Sequence, residues 1–378
     1  MVVYLTFNDQ PSGVYNSQVI DVVNFLNLQR DEDVRLVAFV SLRGFLNSRK
    51  KIKSQSSNAI VVPMIPRLKN WRINGIVLSG ILALCNPRLV MARGVFATAL
   101  ALNTKQTFSK KFSVIFDARG AYYAEFSEYR VLDDDAIIAS VKRLEEQALR
   151  DTDKQLAVSN ALVNYWKQDY GIDRAATTEI IPCTLSQNTT ATPPNESERQ
   201  QLRQQHAIAP NDVLLVYSGS AAGWQSFNAL FNWLAEILSE QSNVRLLLMT
   251  PIESLENTAL ADYADRVIIR WVEPHKVKQY LSMGDYGLLL REESVTNRVA
   301  SPTKFAEYLA AGLKVIVSPH IGDFSEFVEK HDCGLVISKT GHPEFLKVPE
   351  KERRRCFDLS QEYFTKNHLR DAYFRLLK

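Results

Sequence analysis

Short β-branched runs alternate with longer stretches of helical periodicity almost from one end of this chain to the other, and that alternation leaves few folds open. In the first half Val2–Phe7, Arg35–Phe39, Ala59–Val62, Leu89–Ala92, Ser113–Asp117 and Leu156–Val158 read as strands. In the second half Val213–Ser218, Val244–Met249, Arg266–Ile269, Tyr286–Leu290, Val315–Ser318 and Leu335–Ile337 do the same. Between the first two strands, Tyr15 to Leu28 carries Val19, Val22, Val23 and Leu26 at helical spacing, and a later long helix ends near Arg150. Alternation of this kind is the pattern of parallel α/β sheets covered by helices on their faces. The chain is 378 residues long, which favours two or three such domains over one.

The pattern breaks once, at SQNTTATPPNESERQQ, where apolar content collapses and two prolines sit among Ser, Thr and Asn. The expected organisation is therefore a Rossmann-like domain over 1–185, a linker over 186–201 and a second Rossmann-like domain over 202–350. Residues 351–378, charged and aromatic, read as one or two terminal helices that pack on a neighbour. Two such domains leave a cleft at the carboxyl ends of their strands, where open α/β sheets place ligands.

Several classes drop out. No apolar run approaches the roughly 18–20 residues of a membrane span; the longest, Ile76 to Cys85, is broken by Ser79 and Gly80. The start MVVYLTFNDQ has no basic residue ahead of its apolar stretch, so it reads as a strand and not as a secretion signal. Cys85, Cys183, Cys333 and Cys356 form no CxxC pair, as expected of reduced, buried thiols. Neither first-strand loop carries GxGxxG, which disfavours NAD and FAD, and no GxxxxGK[ST] is present. Asp133, Asp134 and Asp135 look superficially like a metal-binding triplet but read as helix-start charges, so no metal is expected.

Charge is uneven. Residues 1–110 hold 14 Lys and Arg against 5 Asp and Glu, a surplus of nine, within a chain whose net charge is only +3. Arg43, Arg49, Lys50, Lys51 and Lys53 cluster near Phe45, and Arg67, Lys69 and Arg72 surround Trp71. Such clusters are either solvated loops or patches that meet anionic lipid or a polyanionic substrate. No nucleic-acid-binding signature accompanies them, and no nucleic-acid partner is expected.

The most informative stretch is SPTKFAEYLAAG at 301–312. Ser301 suits a helix N-cap, Pro302 the first helical position and Gly312 the left-handed position that ends a helix. The helix follows the carboxyl end of a strand, so its free N–H groups and Lys304 would favour an anion there. Glu307 sits one turn further along the same face. The same residues also compose an ordinary capped helix with a surface ion pair. VYSGSAAGWQ at 216–225 adds a loop of small residues able to bring backbone N–H groups near a phosphate.

Taken in order, these segments resemble a GT-B glycosyltransferase, most similar to glycosyltransferase family 4. NDQPSGVYNSQ at 8–18, FDARGAYYAEF at 116–126, AVSNALVNYWKQDYGI at 157–172, IIPCTL at 180–185, SPTKFAEYLAAGLKVIVSP at 301–319 and GDFSEFVEKHDCGLVI at 322–337 carry the likeness over some 330 residues. The resemblance implies a C-terminal helix returning to the N-terminal domain, an acceptor held by that domain, and a nucleoside-diphosphate sugar, UDP or GDP type, held by the C-terminal one. It implies no cofactor. Glu307 matches the glutamate that holds ribose hydroxyls; Ser301, Pro302, Thr303 and Lys304 match the diphosphate segment; Gly219 and Ser220 match the glycine loop. Gly13 matches the loop that closes over the phosphates, and Trp271 with Val272 the region near the base. Asp117, Arg119 and Glu125 are candidates for catalysis or acceptor positioning, Arg93 a further one, and all are equally readable as structural ion pairs.

Three departures are visible. The frequent glutamate eight residues before Glu307 falls at Val299, with Glu292 or Glu293 as substitutes. The Arg and Lys after the glycine loop are replaced by Ala221 and Gln225, which shifts phosphate neutralisation to Lys304, Arg298 or Arg291. The N-domain histidine has no counterpart in Asp117-Ala-Arg119-Gly120. The expected activity is retaining, metal-independent sugar transfer to a glycan or lipid-linked acceptor in bacterial surface-polysaccharide synthesis, in the cytoplasm or at the inner face of its membrane. The alternatives are a non-catalytic GT-B subunit and a nucleotide-sugar 2-epimerase.

Overall fold

The computed structural model describes residues 1–29, 33–65, 68–131, 134–187, 192–219, 227–252, 254–273, 276–338 and 341–378. The chain divides into two compact units: Met1–Ser186 together with Leu369–Lys378, and Gln187–His368.

The first unit is a seven-stranded sheet built from β1 (Val2–Phe7), β2 (Val34–Val40), β3 (Ile60–Pro63), β4 (Leu89–Arg93), β5 (Ser113–Ala118), β6 (Lys154–Ala157) and β7 (Thr178–Ile180), in the order β3-β2-β1-β4-β5-β6-β7. Every pairing is parallel; Val2 of β1 lies opposite Val34 on one side and Leu89 on the other. All six residues of β1 are buried, as a strand covered on both faces requires. The strand β7 escapes sequence reading because its three residues, Thr, Glu and Ile, are polar or only half-buried.

The second unit holds β8 (Val213–Ser218), β9 (Val244–Met249), β10 (Val267–Ile269), β11 (Tyr286–Leu289), β12 (Lys314–Val317) and β13 (Gly334–Val336), in the order β10-β9-β8-β11-β12-β13, again all parallel. Each sheet reverses its winding once, between β1 and β4 in the first unit and between β8 and β11 in the second. Those two points are where doubly wound sheets open a crevice at their carboxyl ends.

Two expectations about the chain's organisation change. Residues 196–201 are not linker: Glu196–Gln205 is a helix, capped by Asn195, whose Oδ1 accepts from Ser197 and Glu198 N–H at 3.0 and 3.3 Å. Its polar sequence conceals two buried arginines. Arg199 and Arg203 donate to the fully buried Asp285 at 2.8 and 3.2 Å, and Arg203 also reaches the Met283 carbonyl at 2.9 Å. Of the terminal segment, the helix Glu350–Tyr363 belongs to the second unit, where buried Arg353 caps the carbonyls of Gly284, Ser282 and Ala311. Only Arg370–Leu377 lies with the first unit. Its Tyr373, Leu376 and Leu377 join the core around β1, and Arg375 makes a forked pair with Glu179, both contacts 2.8 Å. Arginine stems bury well when carbonyls and a carboxylate meet every head group, so hydropathy alone misplaces both segments.

None of the described helices is long and apolar enough to cross a membrane. The four cysteines are buried and form no disulfide with one another.

Candidate functional site

At the winding reversal of the second unit the site is built around Tyr308. This side chain projects from the helix Thr303–Ala310 across the sheet, accepts from Ser218 N–H at 3.0 Å and donates to the Leu288 carbonyl at 3.2 Å. It thereby joins the end of β8 to β11. Burial raises the phenol's pKa well above its ordinary value, so it stays a neutral donor. Gly287 makes the approach possible, since a Cβ there would lie 2.3 Å from the Tyr308 ring. Gly287→Ala is therefore expected to destabilise the second unit by about 1–3 kcal/mol, read as a lowered urea midpoint for that unit.

Ser218 precedes Gly219, and Tyr308 follows Glu307, so the Tyr308 bond sets the Ser218–Gly219 end of β8 beside the helix that carries Lys304 and Glu307. Lys304 Nζ and Glu307 Oε2 pair at 2.7 Å, each side chain 28 % exposed, and so stay within reach of a ligand. The helix begins one residue later than the sequence suggests: Pro302 itself is the cap residue, extended at φ −64° and ψ 127°, and Thr303 is the first helical position. Ser301 and Pro302 are buried. Gly312 ends the helix at φ +78°, as expected.

The segment between β11 and this helix is held rigidly. Arg291 N–H donates to Ser318 Oγ at 2.8 Å, its guanidinium donates to Asn297 Oδ1 at 3.0 Å, and Asn297 Nδ2 donates to the Glu292 carbonyl at 3.0 Å. Asn297 is fully buried; nothing in its polar surroundings marks it in the sequence. Val299 is buried too, 2 % exposed. Glu293 and Arg298 are exposed, while Glu292 lines a cavity of about 210 Å³ with Arg291, Ser318 and Trp233. Trp271 is 70 % exposed and Val272 half-buried. Ser220, like Ala221, Gln225, Arg67 and Asp133, lies outside the described residues.

In the first unit the winding reversal gathers a polar cluster. Asp117, at the end of β5, is fully buried. It pairs with Arg119 at 2.6 Å and with Arg93 at 3.8 Å, and accepts a short hydrogen bond from Tyr4. Asp117 thus anchors two arginines at the end of the sheet. Arg93, which ends β4, also lies 3.9 Å from Asp9. Burial raises the Asp9 carboxyl above its ordinary range, against the opposing pull of Arg93. Gly13 is exposed as the first residue of the short helix Gly13–Tyr15 beyond β1, which Ser12 caps by accepting from Tyr15 N–H at 3.2 Å. Glu125 is half-buried on the helix Tyr122–Glu128, its carboxyl raised by burial. Asp134 accepts from Ala136 and Ile137 N–H at 3.1 and 3.2 Å, which is the helix-start role. Arg43, Arg49, Lys50, Lys51 and Lys53 are all exposed on or beside the helix Phe45–Gln55.

A buried carboxylate that the sequence did not single out positions this unit's helix Tyr122–Glu128. Glu145 accepts from the N–H groups of Tyr122 and Tyr123 at 3.0 and 2.9 Å, and from Tyr170 Oη at 2.8 Å. Burial, only partly offset by these bonds, pushes its pKa up to about 7. Between the ordinary glutamate value and 7 the folded state binds a proton that the unfolded state has lost, so stability falls as pH rises through that window. The melting temperature is expected to drop from pH 5 to pH 8, with about 2–3 kcal/mol at stake. A flat profile in Glu145→Gln would assign the effect to this residue.

The whole chain aligns with solved structures that share this arrangement of two parallel sheets. It covers 100 % of its own length and 99 % of sucrose-phosphate synthase from Thermosynechococcus elongatus, at 14 % identity and a TM-score of 0.69. Against HepE from Anabaena, solved in complex with UDP and glucose, the coverage is again 100 % and 99 %, with 14 % identity and a TM-score of 0.70. The chain has the GT-B fold. The GT-B neighbours also include WaaG, a glycosyltransferase involved in lipopolysaccharide biosynthesis, at 13 % identity, 100 % and 95 % coverage and a TM-score of 0.60. No protein-family model matches this GT-B chain, and no curated protein matches it in sequence.

Proposed function

We propose that this protein is a retaining glycosyltransferase that moves a sugar from a UDP- or GDP-type nucleoside-diphosphate sugar to a glycan or lipid-linked acceptor in bacterial surface-polysaccharide synthesis, without a metal. The observation that carries the reading is the Lys304–Glu307 pair set beside Gly219 by the Tyr308 bond at the β8/β11 reversal. The fold shared with HepE, solved with UDP and glucose, and with WaaG supports the same choice of donor and pathway.

In this scheme the bond between the sugar's anomeric carbon and the diphosphate oxygen breaks, and the leaving diphosphate takes the electron pair. Lys304 and the first N–H groups of the helix Thr303–Ala310 stabilise that charge, with Arg298 or Arg291 in support. Glu307 turns from Lys304 to the ribose hydroxyls. The pair is part-exposed and exchanges partners at little cost. Trp271 and Val272 lie toward the base, and Glu292 or Glu293 serves the sugar. In the first unit Arg93 and Arg119, held by Asp117, orient the acceptor, and the exposed Arg43 to Lys53 cluster meets its polyanionic part. The diphosphate itself assists deprotonation of the acceptor hydroxyl, so no protein nucleophile is required.

The test is incubation with UDP- and GDP-sugars and lipid-linked acceptors, followed by release of nucleoside diphosphate and NMR of the product's anomeric centre. Retained configuration supports the reading and inversion contradicts it. The buried Val299, in place of a sugar-contacting glutamate, favours a second reading as a non-catalytic GT-B subunit. Nucleotide binding without turnover would select it.

A further inference from the structure

From Val34 to Phe116 the chain runs 83 residues without one aspartate or glutamate while carrying 14 lysines and arginines. At the chain's own frequency, 42 acids in 378 residues, about nine would be expected there. Inside this acid-free stretch lies the helix Asn74–Cys85, with no charged residue between Arg72 and Arg88.

The helix has two apolar faces, and only one is covered. Asn74, Gly75, Leu78, Leu82 and Cys85 are buried. Gly75 sits so close to the helix Gly94–Thr107 that a Cβ would lie 3.2 Å from Thr104 Oγ1, and Asn74 Oδ1 accepts from Ile65 N–H at 2.8 Å. The helix is therefore locked in rotation. Its other face turns Ile73, Ile76, Val77 and Leu84 outward at 48, 67, 40 and 90 % exposure. Exposed apolar stripes of this kind mark interaction surfaces. Lys69, Arg72 and Arg88 are exposed at its two ends, the Arg72 guanidinium lying over the Trp71 ring at 4.8 Å.

We propose that this helix lies in the interface of an anionic lipid membrane, its outward stripe among the upper acyl chains and the flanking cations at the headgroups. An outward apolar stripe with cations at its ends suits the boundary between acyl chains and anionic headgroups, and no acid of this stretch opposes the attraction of Lys69, Arg72 and Arg88 to anionic lipid. The charge argues against a second copy of the chain as occupant, since two copies joined through this stripe would bring their exposed Lys69, Arg72 and Arg88 together, and these repel. Membrane docking requires no nucleotide, so it stands or falls separately from sugar transfer.

The experiment is flotation of the full chain with phosphatidylcholine vesicles, with and without phosphatidylglycerol. Binding is expected with phosphatidylglycerol, weaker at high salt, and at least tenfold weaker for the double variant Ile76→Ser, Leu84→Ser at an unchanged melting temperature. A second variant, Leu84→Trp, keeps the stripe apolar, and its fluorescence should shift to the blue on the anionic vesicles. Equal binding by the double variant, or no fluorescence shift, overturns the proposal. So does a wild-type dimer in light scattering that the double variant dissociates, since the stripe then serves a second copy.

Discussion

Asp285→Ala is expected to cost the second unit about 3–5 kcal/mol, enough to abolish its cooperative unfolding transition in calorimetry. The reason is the number of charges that depend on this residue. Arg199 and Arg203 are each 1 % exposed and donate to opposite oxygens of Asp285, which also accept from Val348 and Leu214 N–H at 3.3 and 2.9 Å. Burial already lowers the pKa of Arg203, and with the neighbouring Arg199 brings that of Arg353 down to about 10. Without the carboxylate, these cations would face one another in a dry interior. Asp285→Asn keeps the shape and loses the charge, so it should be nearly as damaging; an unchanged melting profile in either variant would show that the arginines reach water.

The second large effect concerns turnover. Lys304→Ala is expected to lower kcat by about 10²–10³-fold, the usual consequence of removing one donor from developing oxyanion charge. Glu307→Ala should act mainly on donor KM, by about 10–100-fold, since a hydrogen bond to a charged acceptor is worth roughly 1.5–3 kcal/mol in the ground state. Because the two side chains bind each other at 2.7 Å, the double variant should lose less than the product of the single losses. Steady-state kinetics over a range of donor concentrations separates these outcomes, and losses that simply multiply would mean the pair is not coupled.

Much of the fold was legible because its strands are buried on both faces and read as continuous apolar runs; Val213–Ser218 and Val244–Met249 occupy the very residues the runs mark. What was illegible is polar and buried. Arg199, Arg203 and Arg353 look like solvent-facing charges until their carbonyl and carboxylate partners are placed, and those partners are distant in sequence. Glu145 sits beside Glu146 in a charged helix, and only the fold decides which of the two is buried. The Ser301–Gly312 segment was readable as a capped helix from its Pro and Gly, whereas Tyr308, which anchors it, looks like any aromatic core residue until Gly287 opens room for it.

The central claim is that the β8/β11 end of the second unit binds a nucleoside diphosphate through Lys304 and Glu307. Isothermal titration of the purified protein with UDP, GDP, ADP and CMP addresses it most directly. The account predicts saturable binding of UDP or GDP, weakened about tenfold or more in Glu307→Ala and in Lys304→Ala while both variants keep the wild-type melting temperature. Absence of binding by every nucleotide, or binding that both substitutions leave unchanged, would contradict it.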